Sequence, residues 1–110
     1  MQHKMKLLEK PFNNILDGSK EIEFRLYDDK RKKVQIGDTI EFSKLPELVE
    51  KLNVEVVDLY QYPTFKELFM QLGYHDEELD KKVEGMYSIY TKEQEQKNGV
   101  LGIKVKKLRK

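Results

Sequence analysis

The chain has no cysteine. That excludes disulfides, thiolate chemistry and any zinc site built on thiolates. Its two histidines, His3 and His75, stand far apart in sequence, so no metal site and no cofactor are expected. The opening stretch MQHKMKLLEK holds no long apolar run, and neither a signal peptide nor a membrane anchor is read there. The expectation is a cytoplasmic protein without membrane contact. No phosphate-binding glycine loop, Gly-x-Ser-x-Gly elbow or His-Glu-x-x-His motif occurs, and there is no internal repeat.

What is there is charge. Of 110 residues, 37% are charged and 38% hydrophobic, which suits one domain, residues 1–110, with a single modest core. Six tyrosines and five phenylalanines supply much of its bulk. The net charge of +1 conceals an uneven distribution. Residues 1–33 carry nine Lys/Arg against six Asp/Glu, residues 34–103 seven against fourteen, and residues 104–110 five against none. Basic ends brought side by side would form a patch suited to phosphates.

In chain order, residues 4–9 read as a first strand. Pro11 suits the first turn of a helix over residues 11–17, with Phe12, Ile15 and Leu16 at helical spacing and Gly18 as its C-cap. Residues 28–33 form a charged turn with four consecutive cations, Lys30, Arg31, Lys32 and Lys33. A tight turn at Gly37-Asp38 leads into a strand over residues 39–42, and residues 43–51 read as a loop. Residues 52–62 are the longest strand. Its alternation changes phase at Val56-Val57, as a bulge or a strand closing a small barrel would require. Thr64 with Glu67 matches a capping box for a helix over residues 64–72. Residues 75–90 form a second helical segment with Leu79, Val83, Met86 and Tyr90 on one side. Residues 91–97 form a short polar helix, and residues 100–107 the last strand. No βαβ rhythm is visible. The fold class is therefore α+β: a small barrel of five to six mostly antiparallel strands with about three short helices.

The chain is organised around Gly18-Ser19-Lys20-Glu21-Ile22-Glu23-Phe24-Arg25-Leu26-Tyr27. Strand parity puts Ile22, Phe24 and Leu26 on one face, read as core, and Glu21, Glu23, Arg25 and Tyr27 on the other. Glu23 and Arg25 lie roughly 7 Å apart along that face. They can share a small ligand, or simply brace each other.

These pieces resemble one family. The Gly-x-Lys-x-x-Glu-x-Arg pattern at residues 18–25, the Gly37-Asp38 turn, Tyr60-Gln61-Tyr62 before Thr64-Phe65, and Tyr90-Thr91 ahead of Gly99-Val100 follow the order found in the ASCH (activating-signal-cointegrator homology) family. The resemblance covers nearly the whole chain. It implies a PUA-like β-barrel with a cleft between barrel and helices that binds RNA, a nucleotide or a modified nucleoside. The ligand-binding residues it suggests are Lys20, Glu23, Arg25, Tyr27, Tyr60 and Tyr90. The cations Lys30, Arg31, Lys32, Lys33, Lys104, Lys106 and Lys107 are candidates for nucleic-acid backbone contacts.

One bacterial branch of that family hydrolyses the amide of N4-acetylcytidine with a Lys, a Thr and a Glu. The Lys matches Lys20, the candidate catalytic base, but the Thr falls at Glu23, and a carboxylate does not simply replace a hydroxyl nucleophile. Whether the chain is an enzyme stays open at this stage. An amidohydrolase acting on an N4-acylated cytidine and a protein-interaction module are the alternative readings. Tyr60, Tyr62, Tyr87 and Tyr90 can stack on bases or serve as core and rim aromatics, and His75 reads as an exposed capping residue.

Overall fold

The structure, a computed structural model, describes residues 1–108. Arg109 and Lys110 of the basic tail lie outside the described residues. The elements run β1 (Gln2–Leu7), α1 (Glu9–Asp17), β2 (Ile22–Leu26), a 3-10 turn at Arg31–Lys33, β3 (Thr39–Lys44), β4 (Lys51–Tyr62), α2 (Phe65–Gln71), α3 (Asp76–Tyr87), α4 (Lys92–Asn98) and β5 (Val100–Lys107). The strands form one sheet in the order β1-β3-β4-β5-β2. β1 runs parallel to β3, and β3 antiparallel to β4. The chain divides into two compact units.

Unit 1 holds Met1–Glu23, Val34–Leu59 and, of the described residues, 103–108. Its core follows from period-two alternation. In β1, His3, Met5 and Leu7 are buried while Gln2, Lys4 and Lys6 are exposed. Register places Met5 beside Phe42 and Phe42 beside Leu52, and likewise His3 beside Ile40 and Ile40 beside Val54. Rows of buried side chains therefore cross three strands. α1 adds Phe12 and Ile15, both buried. Pro11 falls in the helix's first turn, where an N–H would have no intrahelical acceptor. Gly18, left-handed at φ 86°, ends the helix and donates its N–H to the Ile15 carbonyl at 3.2 Å. The Lys107 ammonium of β5 donates to the Leu16 carbonyl at 2.6 Å, placing a cation at the negative end of the helix.

The Gly37-Asp38 turn ties β1 to β3. Asp38 accepts from His3 Nε2 at 2.8 Å, from the Gln35 N–H at 2.9 Å and from the N-terminal ammonium at 3.2 Å. The His3 hydrogen bond, the Gln35 amide and the ammonium together hold the Asp38 carboxyl down at about 2. A depressed carboxyl pKa stabilises the fold above the unfolded value near 4, and that contribution is lost as the pH falls toward 2. Asp38→Asn should therefore destabilise the protein at pH 7, and its deficit against wild type should shrink steadily between pH 4 and pH 2. Urea melts at several pH values measure this; a deficit independent of pH would show that the carboxylate's charge contributes nothing.

Unit 2 holds Phe24–Lys33 and Tyr60–Gly102. Leu26, Phe65, Leu68, Phe69, Leu79 and Val100 form its buried cluster, with Phe24, Tyr60, Tyr62, Val83, Met86 and Tyr90 packed partly buried against it. Phe69 meets Phe24 edge-on at 4.8 Å, and Phe65 stacks on Tyr90 at 5.9 Å. Thr64 caps α2, accepting the Glu67 N–H at 3.1 Å. The complete capping box lies at Thr91 and Gln94, opening α4.

The elements match the sequence reading in kind and order, but β3 runs on to Lys44 and β4 begins at Lys51, both inside the stretch read as a loop over residues 43–51, and α3 ends at Tyr87 rather than at residue 90. The first strand occupies Gln2–Leu7 because Glu9 and Lys10 already belong to α1. The sheet is mixed: β1 and β3 are parallel because β2, which lies between them in sequence, joins the sheet at the opposite edge. Four α-helices form, one at each of the four helical stretches read along the chain, against the rounded count of about three. The phase change at Val56-Val57 is absent. Leu52, Val54 and Val56 are buried, Val57 is 37% exposed, and no residue of β4 beyond Val56 is fully buried.

Candidate ligand site

Glu23 is the first residue of the site to depart from simple strand logic. Parity assigns it to a polar face, yet it is only 5% exposed. Along β2, Glu23 and Leu26 are buried while Ile22, Phe24 and Arg25 are half-buried, so neither face of the strand is plainly solvated. A buried carboxylate needs a partner, and Lys20 supplies one: its Nζ donates to Glu23 Oε1 at 2.9 Å. The left-handed Gly18 makes this possible. It turns the chain so that the Lys20 N–H donates to the Asn14 carbonyl at 3.0 Å, fixing the lysine backbone beside the helix end.

Lys20 and Glu23 belong to unit 1; Arg25, Tyr27, Tyr60 and Tyr90 belong to unit 2. Arg25 and Tyr27 are half-buried. Tyr27 donates its backbone N–H to the Gly99 carbonyl at 3.0 Å, and the Lys32 ammonium lies 5.8 Å from its ring centroid. Tyr60 and Tyr90 pack against the unit 2 cluster. His75 occupies the N-cap position of α3 and is exposed, but its side chain makes no capping bond; Nδ1 lies 3.0 Å from Asp76.

The basic run is partly committed to its own turn. Arg31 Nη1 donates to Asp28 Oδ2 at 3.1 Å, and Lys32 stands 4.0 Å from Asp29. Arg31 Nε is buried and has no hydrogen-bond acceptor among the described residues. Lys30–Lys33 lie in unit 2 and Lys104, Lys106 and Lys107 in unit 1. Lys104, Lys106 and Lys107 do converge with Lys20. All four line one cavity of about 350 Å³ in unit 1, together with Ile15, Gly18, Glu21, Val57 and Val105. Ile15, Glu21 and Val57 are not read as site residues in the sequence, because they come together only through the fold.

Sequence reasoning also missed Glu95. It sits on α4, which reads as a polar solvated helix, yet it is 4% exposed. Its Oε2 accepts the Phe65 N–H at 2.9 Å and its Oε1 the Tyr87 hydroxyl at 2.7 Å. Burial first, then Glu95, pushes the Tyr87 phenol up to about 12. Among the described residues, no group of three or more His, Cys, Asp or Glu could hold a metal ion, and no helix is long and apolar enough to cross a membrane.

The model of the ASCH domain matches residues 5–109. The chain belongs to the ASCH domain family. Two solved structures share its fold. The hypothetical protein PH0355, known from a crystal structure, is 32% identical with a TM-score of 0.86, over 98% of this chain and all of that one. Protein PF0455 from Pyrococcus furiosus, solved by NMR in solution, is 30% identical with a TM-score of 0.76, over the full length of both chains. No curated protein matches. The fold of this ASCH chain is thus α+β and PUA-like, as its sequence suggested. The Gly18–Arg25 pattern that carried the resemblance provides the turn and the Lys20–Glu23 ion pair, and the Gly37-Asp38 motif provides the β1–β3 clasp.

Proposed function

We propose that this ASCH domain, acting as one domain over residues 1–110 in the cytoplasm, binds RNA or a modified nucleoside or nucleotide. ASCH domains are commonly RNA-binding, and the observation that carries the reading for this chain is the Lys20–Glu23 pair. A 5%-exposed carboxylate and an ammonium 2.9 Å apart at the head of β2 place an acceptor and a donor at fixed separation. That combination suits the amino and carbonyl groups of a base edge. In this reading Arg25 contacts an anionic or carbonyl group of the ligand, Glu23 accepts its amino hydrogens, and Tyr27, Tyr60 and Tyr90 flank it. The basic residues 30–33 and 104–107 take backbone phosphates.

The test uses wild type, Arg25→Ala and the double variant Glu23→Gln with Arg25→Met. Each is titrated with short single-stranded RNAs and nucleoside monophosphates, and each is melted thermally. Arg25→Ala should weaken binding by about 1.5–3 kcal/mol, the value of a charged hydrogen bond, with a small change in melting temperature. A sharp fall in melting temperature at unaltered affinity, restored by the double variant, would mean that Arg25 only braces Glu23, and would retire the ligand assignment.

A further inference from the structure

We infer that unit 1 carries a track for single-stranded nucleic acid along the end of β5, with successive phosphates seated on Lys104 and Lys106, the latter on a ridge that it shares with Lys107. This rests on the nucleic-acid reading above and narrows it from any nucleotide to a polymer.

Two hollows meet at that ridge. The first, about 350 Å³, has Ile15, Val57 and Val105 in its wall; the second, about 290 Å³, is lined by Glu55 and Leu108; Lys106 and Lys107 line both. Each volume is near the lower end for small-ligand sites, which run from about 300 to 1,000 Å³, so each accommodates roughly one base with its sugar. Hollow, cationic ridge, hollow is the repeat of a polynucleotide strand: base, phosphate, base.

The charges fix which part goes where. Among the described residues neither the Lys104 nor the Lys106 ammonium makes a hydrogen bond or ion pair. Lys20, by contrast, is bonded to Glu23, and Lys107 to the Leu16 carbonyl. Lys104 and Lys106 are two apart in β5, so their side chains stand about 7 Å apart on one side of the strand. That is close to the spacing of successive phosphates in an extended single strand. Glu21 in the first hollow and Glu55 in the second repel phosphate from the hollows and can accept hydrogens from base amino groups. Val57 and Leu108 remain 37% and 41% exposed, apolar surface beside cations that bases would cover.

Fluorescence anisotropy with labelled octauridylate at low salt tests the track. Lys104→Gln with Lys106→Gln should lower affinity at least tenfold. It should also reduce the slope of log affinity against log salt by roughly 1.4, because each of two lost phosphate contacts on a single strand is worth about 0.7. Val57→Glu, which puts a carboxylate in the wall of the first hollow, should weaken binding without touching a lysine. Far-UV circular dichroism and melting of both variants should match wild type. Uridine monophosphate should compete at least a hundredfold less well than the octamer. Unaltered affinity and slope in the lysine variant, or equal competition by the mononucleotide, would overturn the track while leaving the Arg25 site standing. No binding of octauridylate to wild type would overturn the track and the RNA-binding reading together.

Discussion

Glu95→Ala should cost about 3 kcal/mol or more of folding stability, lowering the melting temperature by roughly 12 °C or more. The carboxylate accepts two hydrogen bonds in a site that is 4% exposed, from the Phe65 N–H and the Tyr87 hydroxyl. Alanine strands the buried Phe65 N–H and takes away the acceptor of the half-buried Tyr87 hydroxyl. Phe65 opens α2 and is itself wholly buried, so its N–H has no route to water. A lost charged hydrogen bond is worth about 1.5–3 kcal/mol, and an orphaned donor about 1–3 kcal/mol.

Two milder variants order the effect. Glu95→Gln keeps the shape but turns an amide nitrogen toward one of the donors, and should cost about half as much. Tyr87→Phe removes one bond and leaves the α2 contact, and should cost about 1 kcal/mol. If Glu95→Ala melts within about 1 kcal/mol of wild type, the carboxylate is dispensable and this account is wrong. The Tyr87 phenol gives a second readout. Its folded pKa, about 12, lies above the unfolded value near 10. The stabilisation it reports is complete below pH 10 and lost as the pH rises toward 12. Tyr87→Phe should flatten that alkaline decline.

Gly99→Ala is the second large effect, with an expected loss of about 2–3 kcal/mol. Gly99 sits at φ 72°, ψ −172°, a conformation essentially reserved for glycine that costs any other residue about 1–3 kcal/mol. A Cβ there would also lie 3.3 Å from the Tyr62 carbonyl oxygen. Relief by backbone rotation is blocked, because the Gly99 N–H bonds the Glu95 carbonyl at 2.8 Å and its carbonyl accepts the Tyr27 N–H at 3.0 Å. Gly18→Ala provides the control. Gly18 is also left-handed, at φ 86°, but a Cβ there would meet nothing within 4 Å, so only the conformational cost remains, about 1 kcal/mol. Equal melting temperatures for the two variants would show that the contact with Tyr62 is harmless.

What the sequence revealed about this ASCH domain was local. Pro11 and Gly18 bracket α1, Thr64 caps α2, and the alternation of Leu52, Val54 and Val56 marks β4, because caps and periodicities are written within a few residues of one another. Lys20 and Glu23 were both legible as site candidates, but the sequence reading braces Glu23 with Arg25, and the ion pair from Lys20 emerges only from the turn at Gly18. Burial was harder to read. Glu23 and Glu95 look like solvated acids until Lys20 in one case, and Phe65 and Tyr87 in the other, are seen to enclose them. The parallel pairing of β1 with β3 depends on where β2 goes, which no window of residues records. The unit 1 cavity draws on positions 15–21, 57 and 104–107. Lys20 and Lys106 were each picked out from sequence for different tasks, and only the fold shows them lining the same hollow.

The interleaving of the two units also governs how the chain is made. Unit 1 takes its residues from 1–23, 34–59 and 103–108, while the longest segment of unit 2, Tyr60–Gly102, is continuous. During synthesis, β1, α1, β3 and β4 emerge first, yet Ile103 and Val105, both buried, and Lys107, which caps α1 from 91 residues away, arrive last. Unit 1 must wait, with part of its apolar face uncovered, while more than forty intervening residues are translated. At about 5–20 residues per second that delay lasts seconds, longer than hairpins and helices take to form. Unit 2's continuous segment therefore has time to gather its helices before the last strand supplies the contacts that complete unit 1.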